Sequence, residues 1–158
     1  MTAKKEHKAY LKSTVYKNIV KTMIKLSKMT DYAVVILAEM ASHNGALLSA
    51  TGLSEKTALP EPTVSKVLKL LTKKDIIASK RGINGGYSLV KMPENINMAE
   101  VITALDGPIA LTACVEQSEQ CCAHEVNCKI KGQWNPVNAA MQKALEDVSL
   151  DQMMKGAM

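Results

Sequence analysis

The chain has no phenylalanine and a single tryptophan in 158 residues, and aromatic residues make up only 3% of it. With 47% apolar residues, its core must be built from aliphatic side chains, which fits a largely helical protein. Long hydrophobic runs are also missing. The longest strongly apolar stretch, Ala33 to Ala38, is far too short to span a bilayer. No apolar segment of the kind found in secretory signals follows the basic N-terminus. These absences lead us to expect a cytoplasmic protein with no membrane partner. There is no phosphate-binding loop, no nucleophile–base motif and no signature of a substrate pocket, so neither an enzyme nor a small-molecule substrate is expected. Cysteine is absent from the first 113 residues.

All four cysteines then fall between Cys114 and Cys128, as Cys114, Cys121, Cys122 and Cys128. Packing would scatter buried thiols over several elements. The stretch also carries Glu116, Glu119, His124 and Glu125 and little that is apolar, so it reads as an exposed loop. Thiolates gathered on a polar loop point to a metal or cluster site, or to redox chemistry. A structural disulfide pair needs an oxidising compartment, to which nothing here directs the chain. A zinc site of four thiolates usually shows paired hooks with two residues between the cysteines, and adjacent Cys121 and Cys122 form none. A metal-free redox switch also remains open. An iron–sulfur cluster is the favoured reading, because thiolates are its usual ligands and a loop can wrap it.

The formal net charge of +5 is unevenly spread. Residues 1–22 hold six lysines and one glutamate. They read as an appended basic arm, disordered or not native, with Met23 the expected start. Residues 56–91 hold eight basic and two acidic side chains, whereas residues 92–128 hold six acidic and no basic ones. A basic block is usually a solvated surface, and its meaning depends on the fold beneath it.

Helical spacing begins at Thr30, a plausible N-cap, with Val34, Leu37 and Ala41 on one face and Asn44-Gly45 as the stop. A second helix is expected from Ala50 to Thr57 after the cap Ser49. A third starts near Glu61 with Pro62 in its first turn, and buries Val64, Val67, Leu68 and Leu71. Its other faces carry Thr63, Ser65, Lys66, Lys69 and Lys73. Two short helices joined by a tight turn suggest a helix-turn-helix, in which the second helix reads base edges and its lysines meet phosphates. The run from Ile76 to Arg81 and the run from Tyr87 to Val90 read as strands around the glycine-rich turn 82–86. A hairpin in this place is a wing, and Lys80 and Arg81 at its tip suit a narrow minor groove. Double-stranded DNA is the expected partner.

A further helix, capped by Asn97 with Glu100 in a capping-box position, stops at Asp106-Gly107-Pro108. A last long helix is expected from Gly132 to Asp147. Its stripe of Trp134, Val137, Met141, Leu145 and Val148 is either core or the seam of a dimer. Ser149 and Gln152 begin a final turn. The expected fold is mainly α with a small β-hairpin. Residues 23–95 form the winged helix-turn-helix domain, residues 96–131 the sensor helix and cysteine loop, and residues 132–158 a dimerisation helix and tail.

The segment Lys25 to Val34, the helix from Leu59 to Leu71, Arg81-Gly82 with Gly85-Gly86-Tyr87, the stretch Leu105 to Cys114 and the cysteine loop together resemble the iron–sulfur and nitric-oxide sensing winged-helix regulators. That group is typified by IscR and NsrR, and the likeness is greatest to the branch controlling the SUF cluster-assembly operon. It covers residues 23–154. The resemblance implies a homodimer that represses cluster-assembly genes when clusters are plentiful. It also implies a bound iron–sulfur cluster, 2Fe–2S favoured over 4Fe–4S. The ligands it implies are Cys114, Cys128 and one of Cys121 or Cys122, with the spacing to Cys128 favouring Cys122. The histidine ligand of IscR-like members falls on Lys131, a poor ligand when protonated. The aspartate of NsrR-like members falls on Asp31, making Asp31 the preferred fourth ligand, with Cys121, His124 and His43 behind it. A nitric-oxide or redox-sensing repressor and a zinc-stabilised winged-helix protein stand as alternatives.

Overall fold

The computed structural model describes residues 25–119, residue 122 and residues 125–156. The basic arm expected over residues 1–22 lies outside them, as do Cys121 and His124. Helix α1 spans Lys28–Ser42, α2 Ala50–Thr57 and α3 Glu61–Lys73; strands β1 (Ile77–Lys80) and β2 (Gly86–Leu89) follow. Helix α4 spans Met98–Asp106, α5 Asn135–Glu146 and α6 Leu150–Lys155, and the cysteine loop joins α4 to α5. The fold is mainly α with one hairpin, as expected.

Helix α1 starts earlier than its apolar spacing indicates. Ser27, not Thr30, is the N-cap, and its hydroxyl accepts from the Thr30 amide at 3.2 Å. Thr30 is buried within the first turn and donates its own hydroxyl to the Asp106 carboxylate at 2.8 Å. Its oxygen serves a tertiary contact, and the free hydroxyl three residues earlier takes the cap. Ser49 caps α2 through the Gly52 amide, and Asn97 caps α4 through the Glu100 amide. The Glu100 carboxylate pairs with Lys91 instead of turning back on its cap. Ser149 and Gln152 form a complete capping box at α6.

Ala33, Ile36 and Leu37 of α1, Leu53 of α2, and Val64, Val67, Leu68 and Leu71 of α3 are all 0% exposed. Each of these valine, leucine and isoleucine side chains contributes roughly 1.5–3 kcal/mol on burial, so the three-helix unit is held by its aliphatic seam. Ser54 donates to the Leu59 carbonyl at 2.6 Å, and Thr51 donates to Glu61 at 3.1 Å, which sets α3 against α2.

Strands β1 and β2 pair antiparallel from Ile77 with Leu89 to Lys80 with Gly86. Leu48, in the segment before α2, exchanges two backbone hydrogen bonds with Tyr87, of 3.0 and 2.8 Å. The second strand is therefore tied to the helical unit close to the turn. At the far end, Met98 donates to Val148 at 2.9 Å and Leu150 donates to Ile96 at 2.8 Å, which fastens the C-terminal segment to the start of α4. No helix among the described residues is long and apolar enough to cross a membrane.

Candidate functional site

The buried stripe of α3 turns its opposite faces outward. Ser65, Lys66 and Lys69 are exposed there, and Thr63 is half-buried near the start of the helix. Lys80 ends β1 and Arg81, the only arginine in the chain, opens the turn; both are exposed. Among the described residues none of Lys66, Lys69, Lys80 and Arg81 takes part in an ion pair, so their charge is open to an external anion. The wing turn is tight. The Gly85 amide donates to the Gly82 carbonyl at 2.9 Å, and a Cβ on Gly85 would stand 2.3 Å from the Lys80 carbonyl oxygen. Only glycine lets the returning strand pass that close. A readable helix beside a rigid basic hairpin can bind a duplex through phosphates and groove edges.

The cysteine loop begins where α4 ends. Cys114, Cys122 and Cys128 are unpaired thiols, each half-buried. Cys114 Sγ lies 3.1 Å from the Thr112 hydroxyl. Among the described residues no three histidine, cysteine, aspartate or glutamate side chains converge on one point. Thiols are the type of ligand that iron–sulfur clusters take, and three of them lie half-buried on this one polar loop.

Asp31 is exposed in the first turn of α1, next to the Thr30–Asp106 hydrogen bond. Because Asp106 is the last residue of α4, Asp31 sits at the end of α1 from which the cysteine loop departs. His43 is the C-cap at the other end of α1, about 18 Å away at 1.5 Å per residue. Its Nδ1 lies 2.8 Å from the Glu39 carbonyl oxygen. Within one chain Asp31 and His43 do not share a site. Asp31 also rims a groove of about 630 Å³ lined by Leu26, Val34, Val101, Leu145, Val148 and Met153.

Helix α5 is shorter than the sequence suggests. Trp134 stands at its N-cap, and the helix has 12 residues. Leu145 and Val148 of its apolar stripe pack on the core, whereas Trp134 and Val137 are 39% and 49% exposed. Two asparagines on this helix escaped the sequence reading. Asn138 is 0% exposed. Its Oδ1 accepts from the Leu111 amide at 2.9 Å, and its Nδ2 donates to the Ile109 carbonyl at 2.9 Å and to Gln117 Oε1 at 3.2 Å. Asn135 accepts from the Glu116 amide and donates to the Glu116 carboxylate, both at 3.2 Å. The available signal was an amide at helical spacing from Met141 and Leu145, inside an otherwise apolar stripe.

A winged helix-turn-helix with a basic reading face and an appended cysteine loop defines a winged-helix transcriptional regulator. Comparison with known proteins makes the class specific. The Rrf2 family model, described as an iron-dependent transcriptional regulator, matches residues 26–156, and the chain belongs to that family. An rrf2-like HTH-type transcriptional regulator of Rhodobacter capsulatus is 27% identical over 137 residues, covering 82% of this chain and 91% of the relative. The HTH-type transcriptional regulator NsrR of Oceanobacillus iheyensis is 28% identical over 131 residues, covering 82% and 89%. Among solved structures, IscR of T. potens superposes with a TM-score of 0.61 at 25% identity, covering 85% of this chain and 89% of that one. CymR, the global cysteine regulator of B. subtilis, gives a TM-score of 0.64 at 24% identity, covering 84% and 98%, and so supports the fold.

Proposed function

We propose that this chain is a homodimeric repressor that reads operator DNA and reports iron–sulfur cluster status to cluster-assembly genes, the SUF operon first among them. The observation that carries the reading is a loop of three half-buried, unpaired thiols in a chain that also presents an exposed basic winged face. Cys114, Cys122 and Cys128 would hold the cluster, 2Fe–2S favoured over 4Fe–4S, with Asp31 as fourth ligand supplied across the dimer. When bound, such a cluster supplies a centre sensitive to oxidant and nitric oxide. A carboxylate ligand among thiolates would leave it labile, which suits a sensor.

The chain's own groups do the reading. Thr63 and Ser65 meet base edges in the major groove, Lys66 and Lys69 meet phosphates, and Lys80 with Arg81 enters the adjacent minor groove. The exposed Trp134 and Val137, with the apolar groove beside Asp31, are the surfaces that a second copy would cover. A dimer of this kind places its two reading helices one turn of DNA apart, about 34–36 Å. A ligand that favours one dimer geometry shifts operator affinity by as much as it discriminates between the two.

The test is metal and sulfide analysis of anaerobically purified protein, followed by footprinting of loaded and stripped protein upstream of cluster-assembly genes. Iron and sulfide in equal amounts, with footprints that differ between the two forms, are the expected outcome. Zinc without sulfide would make the loop structural and overturn the sensor reading.

A further inference from the structure

We propose that Asn138 is a positioning residue that makes the cysteine loop and α5 move as one body. This rests on the reading of the loop as a cluster site. A fully covered position within an apolar helical stripe would ordinarily hold leucine or alanine. An amide there costs stability unless every polar atom finds a partner. Both amide heavy atoms of Asn138 find partners, and all of those partners lie between residues 109 and 117, around the first thiol of the cysteine loop. Ile109 and Leu111 precede Cys114, and Gln117 follows it, so the Asn138 amide grips the chain on both sides of that thiol. One helical turn earlier, Asn135 holds Glu116 through backbone and side chain. Five hydrogen bonds thus join residues 109–117 to the first turn of α5. The cysteine loop is closed into a ring whose last segment, from Cys128 to Trp134, feeds directly into the helix that grips its beginning. A satisfied buried polar network of this kind fixes one arrangement where an apolar contact would slide. A displacement of Cys114 is then carried to α5, and with it to the exposed face bearing Trp134 and Val137.

The experiment uses the full chain, reconstituted anaerobically with iron and sulfide. It compares hydrogen–deuterium exchange in residues 109–117 and 136–146, and operator affinity, between loaded and unloaded protein. In the wild type, loading is expected to slow exchange in both segments and to change operator affinity, by a factor in the range of about five to 150 that is usual for coupled sites. Asn138→Leu keeps all the thiols and the number and branching of the side-chain heavy atoms. It should still load, but with protection confined to the loop and an affinity ratio falling towards one. Gln117→Ala, at an exposed side chain, removes one of the three bonds without touching the core and should give an intermediate loss. If Asn138→Leu does not fold, Gln117→Ala decides the matter. Full wild-type transfer of protection to α5 in a folded Asn138→Leu variant, or in Gln117→Ala, overturns the inference while leaving the cluster reading intact. Failure of the wild type to hold a cluster overturns that reading and this inference with it.

Discussion

Replacing Gly85 by alanine tests the wing at the point where its geometry is tightest. The new methyl would stand 2.3 Å from the Lys80 carbonyl oxygen, 2.8 Å from the Gly82 carbonyl oxygen and 3.0 Å from the Arg81 carbonyl carbon. A tolerable carbon–oxygen contact needs about 3.3 Å, so the Lys80 carbonyl must withdraw by about 1 Å. All three obstructing atoms are main chain, and no rotamer change relieves them. Overpacking of this sort costs about 1–3 kcal/mol. The hairpin tip is exposed, and its cheapest escape is to open the turn, breaking the Gly82–Gly85 hydrogen bond. The aliphatic seam of α1, α2 and α3 does not reach the turn, so global stability should fall little. Operator binding should fall more, because Lys80 and Arg81 lose their fixed presentation. A groove contact is worth about 1–3 kcal/mol, and about 1.4 kcal/mol is tenfold in affinity. We expect Kd to rise about five- to hundredfold, and the salt dependence of binding to weaken by about 0.9 in log–log slope for each phosphate no longer neutralised. Fluorescence anisotropy on a labelled operator at several salt concentrations measures both. An opened turn, seen by faster exchange of the Gly85 amide, with unchanged Kd and slope would refute the wing as a DNA contact. An intact turn in the variant would refute the steric reasoning itself.

Three further outcomes are expected. Lys66→Ala and Lys69→Ala should each lower the salt slope by about 0.9 and weaken binding to all DNA sequences alike; a change confined to one operator sequence would mean that these lysines read bases. Thr30→Val removes the hydroxyl bond to Asp106 and should cost about 1 kcal/mol in urea unfolding, below the roughly 1.5–3 kcal/mol usual for a charged acceptor because Asp106 is exposed, while Thr30→Ser keeps most of it. Asp31→Ala should shorten cluster lifetime under air, followed by loss of visible absorbance; an unchanged lifetime would remove Asp31 from the ligand set.

Most of the winged domain is legible in the chain itself. The reading helix was visible because Val64, Val67, Leu68 and Leu71 repeat at helical spacing, and all four are covered. The wing was visible because glycines cluster between two short β-prone runs, and the pairing of Ile77 with Leu89 bears that out. The cap of α1 was misplaced because Ser27 and Thr30 are equally good local candidates. The choice between them is made by Asp106, 76 residues away. The stripe of α5 was read only in part: Met141, Leu145 and Val148 are partly covered, but Trp134 and Val137 are exposed and Asn138 takes the buried position, and the start was set too early, since Trp134 stops at the cap.

The sequence alone determined the elements, the caps of α2, α4 and α6, the basic reading face and the gathering of thiols on one polar loop. Each of these depends on spacing or chemistry within a few residues, where backbone geometry and hydrogen-bond demand leave a local imprint. Only the tertiary structure decided that Asn138 and Asn135 clasp the loop, that Thr30 answers Asp106, and that Asp31 lies at the loop's end of α1 while His43 lies at the other. These depend on which polar atoms meet across tens of residues once the apolar faces have packed. An asparagine that will be buried and satisfied looks, in the chain, like any other asparagine.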